Sequence, residues 1–465
     1  MQKHTKTELF ERVPVPRALA AMAIPTIISQ LINLIYNMVD AFFIGRTGNA
    51  YMMAATGVTL TLTMMNVAYS NLFGVGGGSL IARLMGQKNP KAAQSVSAFS
   101  VWGCIGLALV WSVLIGLFLD PVLFFLGASE DTVGFARSYV LLVIVLGSLP
   151  AILSQTLSHL LRNAGHAAQA SIGLSAGGLL NIALDPLFMF VLLPKGQEVT
   201  GAALATLISN VTACAYLLIA YLRAGRSAPL RIAPGQMRSL EGAHVRKLFA
   251  VGVPSAVLTG LFDVASIALN KLAAAHSDLT VAAMSIVMKI ERIPNAVNIG
   301  ICQGMLPIVA YNYASGNRER MRETIRTARG VGLGVSALSI VLLELLARPA
   351  CALFMDTNGE YAETALLTVG FAAQFLRIRA AASPVQFLNY HSSFCMQAIG
   401  SGGATMLHAV VRELVFYIPL MWLLDCLFGE NGLASALFVG EFLGAIFALL
   451  LLRHVLKKRQ EARTA

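Results

Sequence analysis

LINLIYNMVDAFFIG, residues 31–45, reads as an apolar helix interrupted once by a carboxylate, Asp40. An ionisable side chain deep in a bilayer costs roughly 2.5–3.5 kcal/mol on insertion scales, so it is kept only with partners or for a task. Asn37 lies one turn earlier on the same helical face, where it is expected to hydrogen-bond the acid. The stretch predicts a membrane-spanning helix built around a proton or cation site.

The chain around it is equally apolar. Of 465 residues, 57% are hydrophobic and only 12% charged, with a mean hydropathy of +0.71, well outside the range of ordinary globular domains. The formal net charge of +11 does not point to a nucleic-acid partner, because the basic residues sit in short segments between apolar runs. Cys104, Cys214, Cys302, Cys351, Cys395 and Cys426 fall singly, with no CxxC and no histidine pairing. That pattern suggests neither a disulfide framework nor a zinc site. The N-terminal segment carries acids and two prolines ahead of the first span, unlike a cleaved signal peptide.

Apolar runs of about 20 residues predict twelve transmembrane helices near residues 18–45, 52–82, 93–118, 138–161, 167–191, 201–222, 248–275, 281–312, 328–347, 365–390, 399–424 and 432–453. With the N-terminus inside, the inward segments hold 24 Lys and Arg, and the outward ones only Arg46, Arg137, Lys195 and Arg348. The positive-inside rule then puts both termini in the cytoplasm. The expected architecture is an all-α, multi-pass membrane protein.

The basic loop 223–247 divides the chain into an N-lobe, residues 1–222, and a C-lobe, residues 248–465. Pro25 in AIPTIISQL matches Pro254 in GVPSAVLTG; AATG at 54 matches AAMS at 282; Pro150 matches Pro384, and GAALAT at 201 matches GLASAL at 432. Six spans per half return the chain to one side, so the repeats are parallel, related by an axis along the membrane normal. Two pseudo-symmetric six-helix bundles facing a central cavity are expected, suited to rocking between inward-open and outward-open states. Pro25 and Pro254 each remove a helix hydrogen bond and are expected to kink the first helix of their lobe. GVGGG at 74–78 lacks the Lys-Ser/Thr ending of a phosphate loop and lies in an apolar span, so it predicts close helix packing or local unwinding.

The runs LFERVPVPRALAAMAIPTIISQLINLIYNMVDAFFIGRTGN, NLFGVGGGSLIARLMGQKN and NIALDPLFMF followed by GAALAT resemble the multidrug and toxic compound extrusion (MATE) transporters, in the MepA-like bacterial branch near the DinF-like group. The resemblance covers nearly the whole chain. It implies export of organic cations and other drugs in exchange for H+ or Na+, with no cofactor and no enzymatic activity. It also implies that the coupling acids are Asp40 and Asp185 of the NxxxDP motif, with Asn181 and Thr206 as polar supports. Asp263 is the candidate for the family's C-lobe acid in the seventh helix.

Spacing supports such a cluster independently. Asp40, Asp185 and Thr206 each lie five or six residues from an outward helix end, roughly 8 Å at 1.5 Å per residue, so all three share one depth. Asn181 precedes Asp185 by one turn, as Asn37 precedes Asp40. Desolvation and mutual repulsion both disfavour two bare carboxylates, so protonation, Na+ and drug are expected to compete for one cavity. Tyr36 is the expected aromatic contact for a drug. Glu291, Arg377 and Glu441 are further cavity candidates, although mutual salt bridging among Lys289, Glu291, Arg292, Arg377, Arg379, Arg412 and Glu413 is the plainer reading of these charges. The rival function is a flippase for a lipid-linked precursor, which requires a strongly basic central cavity. A membrane enzyme lacks any HExxH, GxSxG or paired acid/base motif here. The small-molecule drug and the lipid bilayer are the expected partners, and the chain is expected to be a monomer.

Overall fold

In a bilayer every backbone N–H and C=O must be satisfied within the chain, which leaves long apolar segments little choice but the helix. The computed structural model describes residues 6–47, 49–355 and 362–464, and among these there is no strand. After a short helix, Lys6–Glu11, the chain forms α1 (Val15–Gly45), α2 (Ala50–Gly86), α3 (Pro90–Leu117), α4 (Glu130–Leu146 with Ser148–Asn163), α5 (Ala167–Leu192) and α6 (Glu198–Ala224). A linker with one 3-10 turn, Pro234–Ser239, leads to α7 (Gly242–His276), α8 (Asp278–Ser315), α9 (Arg318–Ala352) and α10 (Ala362–Ala380 with Ser383–Ala398). The last helical stretch, from Gly402, reverses at Gly429, whose φ of 60° and ψ of −142° are open to glycine. It therefore counts as two spans, α11 (402–428) and α12 (430–464). Asn49, Asn89, Ser277 and Asn317 cap α2, α3, α8 and α9 by accepting from backbone N–H groups of the first turn.

The internal repeat is visible in the bends. α4 turns by 48° and α10 by 51°, and Pro150 and Pro384, the matched prolines, lie in the first turn after each bend, where a missing N–H costs nothing. Separate apolar cores fill the two halves. Ile81, Val96, Leu157, Leu160 and Leu217 belong to one, Leu269, Met284, Phe375, Met421 and Leu433 to the other.

The halves meet along α2 with α7 and α1 with α8. A Cβ on Gly76 would lie 2.6 Å from the Leu248 carbonyl oxygen, and one on Gly252 2.0 Å from that of Leu72. GVGGG thus remains helical and serves close packing, the first of the two alternatives its sequence allowed. Among the described residues the hydrogen bonds joining the halves run from mid-span to the end that carries the basic loops. Asn71 donates to Thr259 (3.1 Å), Arg162 to Gln303 (3.0 Å), Asn312 to the Phe10 carbonyl (3.1 Å) and Arg320 to the same carbonyl (2.6 Å). Toward the other end, residues 31–43 of α1 have no fully buried member. The lobes are closed at the basic end and part toward the Gly45 end.

Candidate functional site

The NxxxDP run places Asp185 directly before Pro186, which has no N–H to give. The helix there widens into a π-helical segment, Leu187–Leu192, the kind of local unwinding often found at functional positions. Asp185 is fully buried; its Oδ1 accepts from Asn181 Nδ2 at 3.2 Å, and its Oδ2 has no partner. Asn181 Nδ2 also lies 3.4 Å from Thr206 Oγ1, while Asn181 Oδ1 is unpartnered. Asp40 on α1 is half-buried, with Oδ1 enclosed and unpartnered, and stands within electrostatic reach of Asp185.

Three helices bring these groups together, and each contributes an apolar residue one turn away. Ile44, Met189 and Ala202 pack into a small cluster, four residues from Asp40, Asp185 and Thr206 respectively. This seal lies on the Gly45 side of the acids. Tyr36, one turn before Asp40, lies against α5 where Gly178 leaves room; a Cβ there would sit 3.2 Å from Tyr36 Cδ1. Tyr36 is within electrostatic reach of both acids.

Asn37 departs from expectation. It is exposed, and its amide donates to the Asn33 carbonyl at 2.6 Å rather than to Asp40; the i, i+4 carbonyl of its own helix lies within easier reach of a short amide. Tyr139 on α4 is a member of the cluster that the sequence analysis missed. It is 9% exposed, hydrogen-bonds Thr206 and lies within electrostatic reach of Asp40, Asp185 and Tyr36. Its only signal in the sequence is a hydroxyl in an otherwise apolar run, SYVLLVIVLG, and such tyrosines commonly end a helix at the interface. Asp263 lies on α7, and its side chain is outside the described residues.

The candidates of the second half do not join this cluster. Glu291 accepts two hydrogen bonds from Arg379, both 2.9 Å, and Glu441 accepts two from Arg412, one of them 3.0 Å. Glu441 also accepts from Asn389 Nδ2 at 2.6 Å, and the Asn389 Oδ1 lies 3.0 Å from His408 Nε2. Arg412 approaches Glu413 at 3.5 Å and stands 5.2 Å from the centre of the Tyr390 ring. Arg377 is half-exposed and pairs with Glu344 at 3.7 Å. Salt bridging thus accounts for Glu291, Arg377, Arg379, Arg412 and Glu441, whereas Lys289 stands 5.9 Å from the centre of the Phe354 ring.

Chemically, the first-half site is a group of acceptor oxygens enclosed by apolar surface, with no guanidinium or ammonium paired to it among the described residues. Each unsatisfied buried acceptor costs about 1–3 kcal/mol. A proton on a carboxyl, or a small cation between oxygens, would satisfy several at once.

A two-lobed, all-helical, multi-pass membrane protein with a buried acid pair in one lobe is the class that fold and site define. The MatE family model matches residues 25–187 and 254–423, and the chain belongs to that family. It is 28% identical over 442 residues to the multidrug export protein MepA of Staphylococcus saprophyticus, covering 95% of this chain and 94% of that one. It is also 28% identical over 460 residues to MepA of Staphylococcus aureus, covering 98% and 97%. Among solved structures, a MATE protein in complex with MaL6 superposes with a TM-score of 0.92 at 22% identity, over 99% of this chain and 100% of that one. A multidrug resistance MATE family transporter of the MOP superfamily in an outward-facing conformation superposes with a TM-score of 0.90 at 22% identity, over the same shares.

Proposed function

We propose that the protein is a secondary active multidrug exporter that releases organic cations in exchange for H+ or Na+ by alternating access. The two MepA relatives are multidrug export proteins by name, and the full-length match supports the same substrate class here. The observation that carries the reading is the set of unpartnered oxygens on Asp40, Asp185 and Asn181. Such a site binds one positive charge at a time, as a proton, a sodium ion or a drug cation. Each ligand then shifts the two-state equilibrium only by its differential affinity for the two states. In this reading Asp40 and Asp185 carry the exchanged ion, Asn181 and Thr206 orient them, and Tyr36 offers the drug its ring. Residues 1–222 and 248–465 act as the moving lobes about the linker 223–247, in a bacterial cytoplasmic membrane with both termini inside. The lobes parted at the Gly45 end then correspond to the outward-open state.

The rival flippase needs free cations in the central cavity for a pyrophosphate. Arg379 and Arg412 are each committed to a glutamate, which counts against that reading. Ethidium efflux from proteoliposomes under separately imposed proton and sodium gradients tests the proposal. Efflux driven by one gradient and absent in Asp40→Asn is expected. No efflux under either gradient from folded protein would sink the exporter and turn attention to lipid-precursor translocation.

A further inference from the structure

At the basic end, α9 and α12 enclose a cavity of about 250 Å³ bordered by Arg318, Arg322, Arg326, Arg329 and Arg453. Four of these follow one another on α9 at intervals of four, four and three, so the helix turns them to a single face. Arg329 Nε is buried without a partner. Among the described residues no carboxylate forms an ion pair with any of the five. The nearby described acids form no ion pair with them. Glu323 acts on Arg320, Glu461 lies 4.0 Å from Lys457, and Glu319 is exposed.

Five clustered guanidinium groups repel one another, and the arrangement calls for an anion. Topology alone asks for arginines at this end, but not that they converge on one cavity with an orphaned Nε at its base. Met321, Ile325 and Leu456 supply an apolar side to the same cavity. The exposed row of α9 continues from Arg322 and Arg326 through Gly330 and Gly334 to Val341 and Leu345, which are 53% and 72% exposed. A Cβ at Gly330 or Gly334 would meet nothing within 4 Å, so α9 presents an open apolar face where the arginines stop. A soluble phosphate has no use for that face; an amphiphile uses both parts.

We propose that this cavity binds the phosphodiester headgroup of an anionic phospholipid of the adjoining leaflet, with its acyl chain along the open Gly330–Gly334 face of α9, and that a lipid bearing two phosphates is preferred. Basic pockets between transmembrane helices take such headgroups, and the planar guanidinium pairs two of its N–H groups with two phosphate oxygens. Arg320, in the same first turns of α9, donates to the carbonyls of Leu9, Phe10 and Val13. A bound lipid therefore steadies the helix that holds the N-terminal segment against the basic end of the molecule.

Native mass spectrometry of the detergent-purified full chain, with cardiolipin, phosphatidylglycerol and phosphatidylethanolamine added, reads the site directly. Retention is expected in that order. The triple variant Arg322→Gln/Arg326→Gln/Arg329→Gln is expected to lose cardiolipin affinity about 100-fold, at about 1 kcal/mol per charge, with phosphatidylethanolamine unchanged. The corresponding Arg→Lys triple keeps the charge, guards against misfolding of the first variant, and is expected to weaken binding several-fold by loss of the planar fork. Lys88→Gln/Lys91→Gln at another basic loop is expected to change nothing. Equal cardiolipin retention by the wild type and both arginine triples would overturn the proposal. So would an equal loss in the Lys88/Lys91 variant, which would mean general attraction to a basic surface. Displacement of the lipid by inorganic pyrophosphate at equal concentration would reassign the cavity to a soluble phosphate and likewise overturn it.

Discussion

In the first half of the molecule Asp185 is buried with one oxygen on Asn181 and the other on nothing, and Asp40 beside it also keeps an unpartnered oxygen. In the second half each of Glu291 and Glu441 is gripped by an arginine through two hydrogen bonds. Two copies of one repeat have therefore handled buried carboxylates in opposite ways. A satisfied pair has no remaining capacity for a further charge, so it contributes to the fold. An unsatisfied pair is costly to the fold and retains capacity for a ligand. The lesson is that buried charge alone does not mark a transport site; what separates site from scaffold is whether the charge is already neutralised.

Substitutions can break that comparison, and the largest effect is expected at Asp185. Asp185→Asn should reduce gradient-driven efflux to the liposome background while leaving the thermal unfolding midpoint in detergent unchanged or raised, because it removes a buried charge that has no counter-ion. Arg379→Ala should do the reverse in kind, costing about 3–5 kcal/mol of stability by stranding Glu291, measured by denaturant or thermal unfolding. Replacing both partners, Arg379→Met with Glu291→Leu, should recover stability to within about 1 kcal/mol of wild type. Failure to recover would show that this pair does more than hold the fold. Asn181→Ala removes the amide that holds Asp185 and is expected to slow efflux about tenfold, in line with loss of one hydrogen bond to a charged group. Tyr139→Phe removes one hydroxyl from the edge of the cluster and should lower the initial rate roughly two- to fivefold, at about 0.5–1 kcal/mol.

The sequence announced the spans and Asp40 because both depend on composition against a fixed solvent, whereas Asp185 was marked by the resemblance its NxxxDP motif carries. Twenty apolar residues in a row, or one carboxylate among them, mean the same thing wherever the helix packs. Helix ends were legible to within several residues for most spans; the exceptions are the end of α12, which runs on to Thr464, and the start of α9. Its arginine-rich first three turns, from Arg318, read as a loop but form a helix capped by Asn317. What pairs with what was hidden. Arg379 and Glu291 are 88 positions apart, and Arg412 and Glu441 are 29 apart, so no local spacing joins them. The π-helical segments Leu141–Leu146, Leu187–Leu192 and Val411–Tyr417 add a further obstacle. Each shifts the following residues round the helix relative to a 3.6-residue period, so a face read from periodicity is lost at Arg412 and beyond Tyr139 and Asp185. Asn37 illustrates the remaining limit, since a shared face does not decide whether an amide turns to a side chain or to its own helix.

Proton release on drug binding tests the central claim most directly. Ethidium is added to the purified protein in weakly buffered detergent solution containing no sodium, with a pH indicator present. If the acid pair of the first half is where drug and proton exchange, wild type should release protons in proportion to bound drug, and Asp185→Asn should release none. Unchanged proton release from Asp185→Asn, with drug binding retained, would contradict the account and move the exchange site away from the acid pair.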